Sequence, residues 1–225
     1  MRKNKKVELP LIEPLIATYH RQGSGCAIIG SNPSIQNWYL NACVDMHCNR
    51  KFLRGYTTPE INIHKSNIAD IFCFQKEETL VKYIKKLTCK IIKLALNDGK
   101  YVFFCRIDDY YIKGKTWYME RHFPHDGLIY GYDDSDKTFL MYAYDENWVY
   151  RCFKTPIKCF KKALNSKITT INNASITLLS TKSDKIDLNL KEIRDKLKNY
   201  LASSFEKYTP NVVQLLLPSL VKLGL

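Results

Sequence analysis

Three apolar runs, Tyr101-Val-Phe-Phe-Cys-Arg-Ile107, Gly127-Leu-Ile-Tyr-Gly-Tyr132 and Thr138-Phe-Leu-Met-Tyr-Ala-Tyr144, decide the fold class. Each is short, rich in aromatic and β-branched residues and bounded by polar turns, which is the pattern of strands. Asp133-Asp-Ser-Asp136 joins the second run to the third as a tight hairpin, because Asp side chains bond backbone N–H groups two residues on. Downstream, Arg151-Cys-Phe-Lys154 predicts another strand, Thr155-Pro156 opens a short helix through Leu164, and Ile168 to Leu179 reads as a last strand region. Hairpin-linked strands of this kind build an antiparallel sheet.

Upstream the period changes. From Glu77 to Leu96 a stripe of Leu80, Ile84, Leu87, Ile91 and Leu94 opposes Lys82, Lys85, Lys86 and Lys93, which predicts an amphipathic helix closed by Asn97-Asp98-Gly99. Trp38, Ala42 and Met46 recur at helical spacing within Ile35 to Phe52, and the turn Gly30-Ser-Asn-Pro-Ser34 offers caps, so a second helix is expected to begin near Asn37. Cys26-Ala-Ile-Ile29 reads as a short buried strand. Residues 1–24 are expected to form an extended arm ending in the flexible Gly23-Ser24-Gly25, and Ile61-Asn-Ile-His64 a further strand. Leu188 to Phe205 carries Leu190, Ile193, Leu197 and Leu201 on one helical face, and Val212 to Leu225 is an apolar end piece. The order predicts an α+β fold, with N-terminal helices packed on an antiparallel sheet, rather than a doubly wound one. The division expected is a domain over residues 1–180 and a helical C-terminal extension over 181–225.

The chain has 225 residues, 45% hydrophobic and 25% charged, which excludes a collagen-like or disordered protein. Its net charge of +13 is unevenly placed: residues 151–225 hold 14 Lys/Arg against 5 Asp/Glu, whereas residues 1–150 hold 21 against 17. The basic excess is therefore a property of the C-terminal third. The start Met-Arg-Lys-Asn-Lys-Lys has signal-peptide charge, but Glu8, Pro10, Glu13 and Pro14 interrupt what would be the apolar region. With no run of about 18 apolar residues, no spanning helix is expected, and a cytosolic setting is the simplest inference. Eight scattered cysteines without a CxxC pair read as reduced, mostly core residues. P-loop, GxGxxG, GxSxG and HExxH motifs are absent, as are internal repeats.

The chemistry concentrates in His122-Phe-Pro-His125-Asp-Gly-Leu-Ile-Tyr-Gly131-Tyr-Asp-Asp134, followed by Asp145. A His at the start of a buried strand, with an acid near the end of its hairpin partner, brings imidazole and carboxylate together across the sheet. Such a pair orients a general base, whose usual partner is a thiol at a helix N-terminus. The plainer alternatives are a turn role for His125, turn roles for Asp133 and Asp134, and Asp145 as a strand-end residue capping Asn147.

These residues resemble a known family. Arg106-Ile-Asp-Asp-Tyr-Tyr111, His122-Phe-x-x-His125, Gly131-Tyr-Asp-Asp134 and Asp145 look like the N-terminal domain family of butirosin biosynthesis protein H and, more distantly, the double-glycine cysteine peptidases of bacteriocin exporters. The resemblance covers about the central half of the chain. It implies a papain-like fold and acyl transfer from a carrier protein to an amine, in bacterial nonribosomal peptide or polyketide pathways. It also implies His125 as catalytic histidine, Asp145 as the acid that orients it, and His122 at a recurrent position of unassigned role. In the family the nucleophilic Cys opens the first long helix. Here Asn37-Trp38 is expected at that place, with Cys43, Cys48 and Cys26 as the nearby thiols. Two functions follow: an acyl or aminoacyl transferase or hydrolase with His125 as general base, or a pseudo-enzyme that binds a carrier protein or peptide.

Trp38, Trp117, Tyr118, His122 and Tyr130 are expected to line the substrate cleft, and Lys113-Gly-Lys115 to make its rim basic. That rim would suit a phosphopantetheine-linked substrate on an acyl or peptidyl carrier protein. No resident cofactor is expected. Cys43, His47 and Cys48 have ligand-like spacing on a helix, but no fourth ligand is in view, so no metal is assigned. No nucleic-acid motif and no membrane partner are read from the chain.

Overall fold

The structure, a computed structural model, describes residues 5–14, 17, 19–42, 46–48, 61–63, 74–181 and 185–201. Strand β1 (Lys6–Glu8) is followed by helices α1 (His20–Gly30) and α2 (Asn37–Ala42), then by a small antiparallel pair, β2 (Met46–Cys48) with β3 (Ile61–Ile63). Next come β4 (Phe74–Leu80), α3 (Val81–Ile84), α4 (Thr88–Asn97) and β5 (Tyr101–Asp108), which runs into a 3-10 turn over Asp109–Tyr111. The chain continues through β6 (Pro124–Asp133), β7 (Thr138–Tyr144), β8 (Tyr150–Pro156), α5 (Ile157–Asn165), α6 (Lys167–Ile171), β9 (Ser175–Thr181) and α7 (Leu190–Leu201).

The main sheet is antiparallel throughout, in the order β4-β9-β5-β6-β7-β8, with β1 also paired to β6. Helices pack on both faces. On one, Cys26, Ala27, Ile28 and Ile29 of α1 meet Tyr101, Phe103, Leu128, Tyr130, Leu140 and Tyr142. On the other, Ile92 and Leu96 of α4 and Phe160 and Leu164 of α5 meet Val102, Phe104, Ile129, Phe139 and Met141. Alternate residues of β5 thus enter opposite cores, which is why its sequence is almost continuously apolar. The expected α+β class with an antiparallel sheet is observed.

Several expected boundaries shift. Cys26–Ile29 belongs to helix α1, and Gly23, Ser24 and Gly25 are buried inside that helix instead of forming a flexible link. The reason is proximity: a Cβ on Gly23 would stand 2.7 Å from the Tyr150 ring, and Ser24 Oγ lies 2.7 Å from Tyr150 Oη. The helix expected over Ile35 to Phe52 is the short α2, after which Met46 enters a strand. Glu77 does not open a helix either. Gln75 to Thr79 form a charged edge strand paired to β9, and exposed sheet edges favour such residues. The Ile168–Leu179 region divides into α6 and β9.

Candidate active site

One irregularity at the end of β5 builds the site. Phe104 pairs with Gly127, but Ile107 pairs with His125, so the register slips by one at a bulge where Arg106 adopts φ 56°. Bulges beside functional sites re-aim side chains. Here the bulge is pinned by Asp126, whose Oδ1 accepts the Arg106 N–H at 2.9 Å. Two residues beyond Ile107, Asp109 begins the 3-10 turn, and its carboxylate accepts a hydrogen bond from His125 Nδ1 at 2.8 Å. Asp109 is fully buried, whereas the His125 side chain is 23% exposed.

Helix α1 completes this cluster from the other side. Its first residue, His20, sets its ring edge-on to His125 with centroids 4.4 Å apart. Arg21 Nε lies 3.3 Å from Asp126 Oδ2 and ties the head of α1 to β6. Between the two imidazoles sits the ammonium of Lys115, only 1% exposed. Lys115 Nζ donates to the Asp126 carbonyl at 3.0 Å and to His20 Nε2 at 3.2 Å, and lies 3.5 Å from Asp109 Oδ2. His125 Nδ1 also lies 3.5 Å away, and the carbonyl, the His20 nitrogen and the carboxylate give the ammonium the acceptors that a buried charge requires. Burial lowers the Lys115 pKa despite the opposing pull of Asp109. Gly114 turns the lysine inward at φ 99°, a left-handed conformation that favours glycine, and a Cβ there would meet the Phe153 ring at 2.6 Å. The expected basic rim is therefore corrected: Lys113 is exposed, while Lys115 is the interior counter-charge of the site.

A second His–Asp pair lies next to the first. His122 Nδ1 is 2.7 Å from Asp108 Oδ2, which also accepts from Ser166 Oγ at 2.5 Å, while Oδ1 accepts the N–H groups of Phe123 and Tyr110. The His122 side chain is 47% exposed and stacks on Tyr110 at 4.3 Å. Consecutive acids at the end of β5 thus anchor the two histidines of His122-Phe-Pro-His125.

The orienting acid differs from the one expected. Continued three pairs beyond Leu128 and Tyr142, the β6–β7 register would set Asp145 opposite His125, but its carboxylate is taken by the turn. Oδ1 accepts from Asn147 N at 2.8 Å and Val149 N at 2.9 Å, and the carboxylate pairs with Arg151. Burial raises the Asp145 pKa, yet those N–H groups and the guanidinium outweigh it and hold the carboxyl below its usual range. The capping alternative for Asp145 is what the structure shows.

The expected nucleophile region also moves. Asn37 does open α2, but its side chain donates to the Ile186 carbonyl at 3.0 Å, and no contact joins it to the His125 cluster among the described residues. The helix head that faces His125 is that of α1, and it carries His20. Cys26 lies two turns into α1 and is 1% exposed. Cys43 is outside the described residues, and His47 and Cys48 lie on β2 instead of a helix. Among the other described thiols, Cys105 touches Arg21 of α1 with its Sγ at 3.6 Å, but burial pushes it up to about 11, so it is a thiol and not a thiolate.

Trp38 and Tyr130 are buried in the core on the α1 face and do not line a surface. Trp117 does belong to a surface beside His125. Phe123 packs 5.3 Å from the His125 ring, Trp117 lies 6.0 Å from Phe123 and 5.9 Å from the exposed Trp148, and the Arg121 guanidinium covers Trp117 at 3.9 Å. Tyr118 is half-buried in the same loop. Among the described residues no group of three or more His, Cys, Asp and Glu could hold a metal ion, and no helix is long and apolar enough to cross a membrane.

His20 and Asp109 are the residues that sequence reasoning missed, and Lys115 was placed on the rim instead of the interior. Asp108-Asp109 directly after an apolar strand was the available signal for the acid. Nothing in the local sequence marks His20, because Gly-Ser-Gly disguises its helix. No protein-family model matches this chain, and no curated protein does.

Proposed function

We propose that this protein is a papain-like acyl or aminoacyl transferase or hydrolase that uses His125 as general base without a cysteine nucleophile. The observation that carries this reading is the His125–Asp109 pair. Asp109 fixes Nδ1 as the protonated nitrogen, so Nε2 holds the lone pair, and among the described residues no group bonds to it. In the proposed step, Nε2 takes a proton from an amine or water as its N or O attacks a thioester carbonyl. The tetrahedral adduct then breaks its C–S bond, and the proton returns from Nε2 to the leaving thiolate. The products are an amide or acid and a free thiol. The family resemblance supports a carrier-bound acyl group as donor, in a bacterial nonribosomal peptide or polyketide pathway. The Lys-rich C-terminal third suits an acidic carrier protein.

Thiol release from an acylated carrier in the presence of an amine, followed together with the intact mass of the protein, tests this. Thiol release above background without an acyl adduct on the protein is expected. An acyl-cysteine intermediate would overturn the non-covalent mechanism. A second reading, a binding module that has lost its reaction, is favoured by one observation: a histidine, and no thiol, stands at the head of α1 facing His125. That reading predicts carrier binding with no thiol release.

A further inference from the structure

The hydrogen bonds around His20 fix where its proton lies. The Tyr144 backbone N–H donates to His20 Nε2 at 3.3 Å, and the Lys115 ammonium donates to the same atom at 3.2 Å. A backbone N–H can only donate, and an ammonium has no lone pair, so Nε2 is the unprotonated nitrogen. The proton is therefore on Nδ1, and among the described residues no acceptor takes it. The ring is 5% exposed and stands 4.4 Å, centroid to centroid, from His125. Among the described residues no carboxylate bonds to this ring: it lies at the positive end of the eleven-residue helix α1 and against Lys115, and burial holds its pKa well below the ordinary imidazole value, with Lys115 and His125 adding. Tyr144 and Tyr150 pack against it at 5.0 and 5.7 Å, and Tyr150 Oη donates to the His20 carbonyl at 3.2 Å, so the ring is held in place.

We infer that His20 is a catalytic hydrogen-bond donor, a neutral imidazole whose Nδ1–H binds the carbonyl oxygen of the acyl group. When the nucleophile deprotonated by His125 adds to the carbonyl carbon, the C=O electron pair moves onto that oxygen, and Nδ1–H holds the oxyanion until the pair returns and the C–S bond breaks. A neutral donor suits this task, since it gains interaction as charge develops without giving its proton away. The inference rests on the proposed function.

Two variants separate this role from a structural one. His20→Asn keeps a donor at the δ position, while His20→Gln keeps an acceptor near the ε position for Lys115 and Tyr144 and loses the δ donor. With S-acetyl-N-acetylcysteamine as thioester probe, kcat is expected to stay within about tenfold of wild type in His20→Asn. In His20→Gln it is expected to fall about 100-fold or more with KM little changed, the usual cost of one oxyanion donor. Equal losses, or better activity in the Gln variant, overturn the donor role. Nitrogen-15 spectra of the His20 ring in the wild-type protein, needing no turnover, are expected to show Nδ1 protonated and Nε2 bare from pH 6 to 9. The opposite tautomer, or an imidazolium at pH 6, overturns this inference alone. No turnover by wild type with the tautomer as expected overturns the proposed function, and the donor role with it.

Discussion

Asp109 Oδ2 receives one hydrogen bond from His125 Nδ1 and lies within reach of Lys115, at 2.8 and 3.5 Å, so one buried carboxylate carries both the imidazole and its cationic neighbour. The three groups form one cluster in which the ammonium balances the carboxylate, and in the proposed reaction the imidazole is the base. This arrangement makes Asp109, and not Asp145, the acid on which His125 depends.

Exchanging the two acids one at a time checks that assignment. Asp109→Asn is expected to lower kcat for thioester turnover by about 10²- to 10⁴-fold, because an amide can present its N–H to Nδ1 and reverse the tautomer. Asp145→Asn keeps Oδ1 for the turn and is expected to leave kcat within about threefold while lowering stability by about 1 kcal/mol. The opposite ranking in steady-state kinetics would restore Asp145 to the site.

Lys115 is the structural hinge of the cluster. Lys115→Met removes the charge at similar length and leaves Asp109 buried with only His125 beside it. A loss of about 3–5 kcal/mol is expected from urea unfolding, the range for one partner removed from a buried ion pair. A variant as stable as wild type would show that the ammonium is not needed to hold Asp109 there.

The neutral His20 has a signature in the pH dependence of stability. Unfolded chain takes up a proton on this residue below pH ~6.5, while the folded protein, whose His20 pKa is well below that, does not. The unfolded state then binds more protons, so stability falls as the pH drops below ~6.5, by at most about 1.4 kcal/mol per unit, until the folded pKa is reached. Urea unfolding between pH 4.5 and 7.5 is expected to show a shallower acid slope in His20→Asn than in wild type. Identical slopes would mean that His20 charges freely in the folded state.

Gly131 reports on the N-terminal strand. A Cβ there would collide with the Val7 carbonyl oxygen and stand 2.8 Å from a Leu140 methyl carbon. Gly131→Ala is expected to cost about 1–3 kcal/mol and to expose residues 5–9 to limited proteolysis. Unchanged cleavage would show that β1 is held by contacts other than its pairing with β6.

How the chain encodes this structure differs between its halves. From Tyr101 onward, the runs Tyr101–Ile107, Gly127–Tyr132 and Thr138–Tyr144 match β5, β6 and β7 to within a few residues, because period-2 burial and turn acids act locally. The place of His125 near the start of β6 was legible for the same reason. Helix α1 was not, since Gly23-Ser24-Gly25 looks like a hinge by propensity, whereas in the fold Tyr150, far along the chain, packs against the bare Gly23 backbone of this helix. That one tertiary contact hid the helix head, and so directed the search for a partner of His125 to Asn37. Asp109 was obscured by the bulge at Arg106, a backbone event that no residue pattern in β5 announces. Lys115 was read by its charge as a surface residue, and only the turn at Gly114 reverses that.

The central claim is that His125, held by Asp109, moves the proton in acyl transfer. The rate of thiol release from an acylated carrier protein, with an amine acceptor, compared between wild type and His125→Ala, tests it most directly. The account predicts that the variant folds, still binds the carrier and loses at least about 100-fold in kcat. Equal rates in the two proteins would contradict it.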